Sequence, residues 1–184
     1  MSRRVRIGFV VVVVAQLLVL GAMVAKRVYL LRTGTPVLLE CVPVDPRSLF
    51  SGDYVRLNYR ISRFTAEELQ RLNPTGESFK PHETVYLALE RPRGAKFHEA
   101  REISHDGDRL RQRFAVVIRG TAREGSAWTG LGVRYGVEEY FVPQHQGRRI
   151  EREMARTSVE VAVSAAGESG IRRLFIDDQE VQFR

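Results

Sequence analysis

The residues best suited to chemistry sit close together. Asp53, Tyr54, Arg56 and Tyr59 follow Gly52 within a few positions of one another. A carboxylate, two phenols and a guanidinium at that spacing can form a polar binding surface, or can set Asp53 as a catalytic carboxylate. A period of two places Tyr54 and Arg56 on one strand face and Tyr59 on the other. The alternative is a turn-and-strand cornerstone. In it Gly52 takes a positive φ, Asp53 accepts backbone N–H bonds inside the turn, and Asp45 or Asp53 pairs with Arg47, Arg56 or Arg60. A second group is aromatic. Trp128, Tyr135, Tyr140 and Phe141 lie beside Gly130, Gly132 and Gly136. Such residues pack a core, and they also make a contact surface for a partner or an extended peptide.

Other chemistry finds less support. Ser48 and Ser51 precede the Gly-Asp step, but a serine nucleophile needs a base. Lys80 and Lys96 are the lysines beyond the N-terminal segment, and neither sits in an apolar strand that would depress its pKa. His82, His98, His105 and His145 lack the short spacing of metal ligands. His105-Asp-Gly-Asp108 reads as a turn rather than a cation loop. The glycines at 130, 132 and 136 lack the Lys-Ser/Thr of a phosphate loop. Cys41 is the single cysteine, so no internal disulfide forms and the thiol is expected to be a small buried apolar group. No metal and no cofactor is expected.

These residues depend on elements that the pattern also outlines. Ile7 to Ala25 is apolar except for Gln16, and as a helix it spans roughly 28 Å, the hydrocarbon thickness of a bilayer. A cleaved signal peptide would have a shorter apolar region and a small-x-small site. Met23 stands where that site needs a small residue, so an uncleaved anchor is expected. Gln16 is either tolerated in the span or bonded to another helix. Arg3, Arg4 and Arg6 before the span are balanced by Lys26, Arg27 and Arg32 after it; the α-amine and the short N-terminal tail favour the tail inside and the C-terminal domain outside.

The 184 residues carry a net charge of +7, which invites a nucleic-acid reading. The distribution argues against it. Residues 1–32 hold six basic and no acidic residues, leaving 23 basic against 22 acidic in 33–184. Residues 91–123 are locally basic, with nine basic and four acidic residues. They read either as the solvated face of a hairpin or as a face for anionic lipid.

Beyond the anchor, Thr33-Gly34 ends the helix with Gly34 as a left-handed cap, and Pro36 confirms the stop. Val37–Val42 is a short buried strand. Tyr54–Ile61 has the cleanest alternation in the chain and reads as one strand. Thr65 and Glu68 spell a capping box for a short helix that stops before Asn73-Pro74. Thr84–Glu90 and Lys96–Ser104 read as a hairpin. Phe114–Gly120, Glu138–Val142, Val159–Val163 and Ile171–Ile176 read as further strands, and Gly147–Thr157 as a second short helix. The expected fold is α+β. It has an N-terminal transmembrane helix (1–32, anchor and helical extension), then a strand-rich, mostly antiparallel domain (33–184), barrel- or sandwich-like, with two short helices.

Gly52 to Tyr59 spells GDYxxLxY. With Val42-Pro-Val-Asp-Pro-Arg47, the Leu31-Arg-Thr-Gly-Thr35 linker and the Arg134–Pro143 segment, the chain resembles the GDYxxLxY family of bacterial membrane-anchored proteins. The resemblance covers nearly the whole chain. It implies a bacterial inner-membrane protein with an extracytoplasmic, periplasmic domain, and a multi-pass membrane protein as partner. It carries no established activity. The expected role is therefore a binding or accessory subunit. The alternative is a membrane-tethered hydrolase loosely resembling the signal peptidases, with Ser51 or Asp53 in the site.

Overall fold

A computed structural model describes residues 3–43, 54–124, 130–143 and 147–182. The first element is a single helix, α1 (Arg3–Thr33). Its stretch from Ile7 onward is long and apolar enough to cross a membrane, and none of it is buried against the rest of the chain over that apolar window. β-Branched residues such as Val10 to Val14 would favour a strand in water. Along the apolar run the helix satisfies its backbone groups internally, which is what a lipid environment demands.

The remainder is antiparallel and strand-rich. One sheet runs β1 (Thr35–Glu40), β9 (Thr157–Val163), β10 (Ser169–Ile176), β11 (Gln179–Glu180). A second runs β3 (Arg63–Phe64), β7 (Leu131–Arg134), β6 (Val116–Arg123), β4 (Thr84–Glu90), β5 (Glu99–Ser104). A two-stranded ribbon joins β2 (Tyr54–Arg56) to β8 (Glu139–Phe141). Together they curl into a half-barrel around one core. Val37, Leu39, Val55, Leu57, Leu87, Ile103, Ile118, Val159 and Leu174 are each at most 1% exposed within it. Alternating inward residues from all three sheets fill it, as the period-two burial of β6 shows. The expected α+β architecture is what the chain adopts.

Three details differ from the sequence reading. The stretch from Tyr54 to Ile61 is not one strand. β2 stops at Arg56, Tyr59 makes a single bridge to Cys41, and Arg60–Ser62 is a 3-10 turn. Burial still alternates, with Val55, Leu57, Tyr59 and Ile61 all inside. The reason is that the chain crosses from the ribbon to β3 while every second side chain keeps its grip on the core. Gly34 also differs. Its φ is not positive. It is needed for close approach, because a Cβ there would lie 2.7 Å from the Leu30 carbonyl oxygen and 3.0 Å from the Ala162 Cβ.

The third difference is a helix. His105–Asp108 is not an isolated turn. Asp106 caps α3 (Gly107–Arg113) by accepting the Arg109 N–H at 2.9 Å. With α2 (Ala66–Leu72) and α4 (Gly147–Arg152) there are three short helices among the described residues, not two. α3 lays Leu110 on Ala88 and Val117, the outer face of the β4–β6 pair. Its basic residues are paired: Arg109 and Arg113 each donate to the buried Glu102 carboxylate at 2.7 Å, and Arg111 to Asp108 at 2.7 Å. Leu110 is its one apolar residue, too few for a periodic signal. α2 carries the anticipated capping box, with the Glu68 N–H donating to Thr65 Oγ1 and the Thr65 N–H to Glu68 Oε2.

The candidate contact site on the two-stranded ribbon

Tyr54 and Arg56 of the first candidate group meet Tyr140 and Phe141 of the second in the ribbon. Antiparallel pairing sets Tyr54 opposite Phe141, Val55 opposite Tyr140 and Arg56 opposite Glu139. Aromatic faces aromatic, and a cation faces an anion, which is the cross-strand pattern that stabilises antiparallel ribbons. The sequence reading saw both segments but not their pairing. The available signal was that complementarity: Tyr-Val-Arg read against Glu-Tyr-Phe in opposite directions. Glu139 was missed for the same reason. Asp53 and Trp128, with Ser51, Asp45 and Arg47, lie outside the described residues.

The ribbon has two different faces. On the inner face Val55 is fully buried and Tyr140 is half-buried against the core, where burial and then the charge of Glu180 hold its hydroxyl pKa above the usual value. On the outer face Arg56 is exposed, Tyr54 is half-buried, and Phe141 is 75% exposed. The Tyr54 and Phe141 rings stand 6.3 Å apart between centroids, tilted by 58°. Among the described residues outside α1, Phe141 is the one large hydrophobic side chain left in solvent.

Tyr59 and Tyr135 are not surface residues. Tyr59 is 1% exposed, and its hydroxyl donates to the Val137 carbonyl. Tyr135 donates its hydroxyl to the Ile61 carbonyl. The two phenols thus bind each other's chain segments reciprocally, 59–61 to 135–137. Burial, first, raises both hydroxyl pKa values well above 10; nearby Cys41 and Glu138 add to this for Tyr59, and Glu138 for Tyr135. Both hydroxyls therefore remain donors at any ordinary pH. Glu138 completes the crossing. Its carboxylate accepts the Tyr135 N–H and, at 2.9 Å, the Gly136 N–H, while its carbonyl accepts Leu57 N–H at 2.7 Å. Gly136 has φ +78°, a conformation glycine adopts without strain. The Tyr135 and Tyr59 positions thus serve the frame, and Tyr54, Arg56 and Phe141 lie on the outer face of the ribbon.

Chemically, the outer face offers two rings and a guanidinium. It can hold an apolar side chain and an acidic or carbonyl group beside it. Cys41 offers no second site. It is 2% exposed, and burial followed by the Glu40 charge pushes its thiol up to about 12. Lys96 pairs with Asp178. Hollows of about 310 and 390 Å³ lie on the outer side of the β1–β9–β10 sheet, the first between Leu38, Arg91, His98 and Phe175. Neither includes a residue of the ribbon.

No curated protein and no solved structure matches this chain. The family model described as GDYXXLXY protein matches residues 16–174, from inside α1 through the ribbon to β10. The chain belongs to the GDYXXLXY protein family.

Proposed function

We propose that this chain is an accessory, non-enzymatic subunit that docks a multi-pass membrane protein through the outer face of its ribbon. The single N-terminal apolar helix fits a single-pass membrane protein. On our reading the membrane is the bacterial inner membrane, the N-terminus is inside, and the domain is periplasmic. Basic side chains are three on each side of the span, and the α-amine with the short N-terminal tail supports that orientation.

One observation carries the docking reading: the exposure of Phe141 beside Tyr54 on a well-held ribbon. Leaving a phenylalanine in water forgoes about 2 kcal/mol of burial. A single exposed ring is ordinary on a surface; what supports a contact is that Phe141, Tyr54 and Arg56 share one face of the ribbon. A rigid aromatic flanked by an arginine is also the residue pattern of interface anchors. The hydrolase alternative rests on Ser51 and Asp53, and no observation favours it.

The test is a photo-crosslinking residue at position 141 of the full chain in its native membranes. The expected result is one discrete adduct, identified by mass spectrometry as a multi-pass protein. A folded chain that gives no protein adduct from position 141 overturns the proposal.

A further inference from the structure

The exit of α1 from its apolar run is clamped to the strand domain. Lys26 Nζ donates to Glu168 Oε1 at 2.7 Å, and Arg27 Nη1 donates to the Ser169 carbonyl at 2.9 Å. The Arg27 guanidinium lies over Gly170, where a Cβ would stand 2.9 Å from its central carbon. Further along, Arg172 donates to the Leu31 carbonyl at 2.8 Å and to the Gly34 carbonyl at 3.3 Å, and Leu30 is buried. Arg172 thereby satisfies carbonyls at the helix C-terminus that no further turn can reach. These contacts fix where the turn between β9 and β10 sits. It lies beside Lys26 and Arg27, the first two residues after the apolar run ends at Ala25.

β6 reaches the same place. The Arg119 N–H donates to the Gly167 carbonyl at 2.8 Å, and the Arg119 guanidinium stands 3.7 Å from Glu168. Gly167, at φ +86°, has no side chain to block that approach. Three exposed cations therefore gather at the turn that carries Glu168. Lys26 and Arg119 share the Glu168 carboxylate, and Arg27, among the described residues, bonds the Ser169 carbonyl. The residues at the tip of the turn, Ala165 and Ala166, are exposed and small. The Glu168 pKa is held below the usual carboxylate value, first by the Lys26 hydrogen bond and then by the charges of Lys26 and Arg119.

With α1 taken as the membrane span, as the proposed function has it, this cluster lies at the level of the lipid headgroups. We propose that Lys26, Arg27 and Arg119 form a binding site for the phosphate of an anionic phospholipid, seated against the β9–β10 turn. Excess cation at a fixed depth, on residues held by main-chain bonds, suits a phosphodiester that the bilayer itself supplies. Glu168 occupies part of the site when no lipid is bound.

The test uses the full chain, purified in mild detergent and delipidated, with phosphatidylglycerol or phosphatidylcholine added and retained lipid counted by native mass spectrometry. The chain should retain phosphatidylglycerol in preference. Arg119→Gln and Arg27→Gln should each cut that preference about fivefold, the worth of one cation near a membrane surface. Glu168→Gln should raise it, because the competing carboxylate is gone. A purely structural role for the cluster predicts the opposite, since Glu168→Gln would loosen the clamp. Equal retention of the two lipids overturns the proposal. So does a preference that Arg119→Gln and Arg27→Gln leave untouched. Displacement of the lipid by millimolar inorganic phosphate overturns the lipid as the source. Release of the full chain from membranes by alkaline carbonate overturns the membrane reading as well as the site. A chain that stays in the membrane but shows no lipid preference overturns the site alone.

Discussion

Tyr54 and Tyr59 belong to the same eight-residue motif and do opposite things. Tyr59 is sealed in the core with its hydroxyl on the Val137 carbonyl, and Tyr135 answers it from the other segment. Tyr54 lies on the outer face of a three-residue strand, next to a phenylalanine that is 75% exposed. The inner half of the motif thus builds the crossing of two chain segments. The outer half is left over by the fold. A motif recognised as one string is two structural statements, and the proposed contact with a partner involves only the outer one.

Breaking the inner half should have the largest effect. Tyr59→Ala removes a fully buried ring and should destabilise the domain by about 3–5 kcal/mol, read by denaturant unfolding of the full chain in detergent. Tyr59→Phe and Tyr135→Phe each orphan a buried carbonyl and should cost about 1–3 kcal/mol. The two bonds hold the same segments, so the double variant should cost less than the sum. Additive losses would mean that the bonds act independently. Gly136→Ala places a side chain at φ +78° and should cost about 1 kcal/mol by the same assay. Tyr54 variants should show no such loss.

The pH response sharpens the contrast. The two tyrosine hydroxyls of the crossing stay protonated, whereas the imidazole of His105, beyond the end of β5, has a raised pKa. Its ring nitrogens face the Thr84 and Ser78 carbonyls, both at 3.1 Å, so the fully bonded ring is the doubly protonated one. Burial pulls its pKa down. The two carbonyls and the Glu77 and Glu83 carboxylates outweigh that and hold it above 6.5. The stabilisation is therefore complete below pH 6.5 and is lost as pH rises through the raised folded value. Amide hydrogen exchange in β5, corrected for intrinsic rates, should speed up across that rise, while exchange of the Leu57 amide at the crossing stays flat. In His105→Gln the β5 dependence should vanish.

How much was legible follows the same division. The alternation of Val55, Leu57, Tyr59 and Ile61 identified the buried face correctly, because burial depends on side-chain period. It could not say that the hydrogen-bonded strand stops at Arg56, since that depends on where β8 and β3 lie. The capping box at Thr65 was readable because it is local. α3 was not, because its stability comes from Leu110 against Ala88 and Val117 and from Glu102 on another strand. Gly34 was read as a left-handed cap on residue type alone, and the neighbour that requires a glycine, Ala162, is far away in sequence. Tyr54 and Arg56 come from one stretch and Tyr140 and Phe141 from another; only the register of β2 on β8 puts Tyr54, Arg56 and Phe141 on one face and turns Tyr140 to the core.

The smallest structural effect belongs to the outer face, and there the central claim is tested most directly. Tyr54→Ala with Phe141→Ser removes one cross-strand aromatic pair and should cost no more than about 1 kcal/mol. The decisive quantity is the amount of multi-pass companion recovered per tagged chain after gentle detergent extraction. The expected result is that this double variant loses the companion while staying folded, within about 1 kcal/mol of wild type, and that Tyr59→Phe keeps the companion while folded. A double variant that retains the companion in full, or that loses it only by unfolding, would contradict the assignment of the outer face to contact.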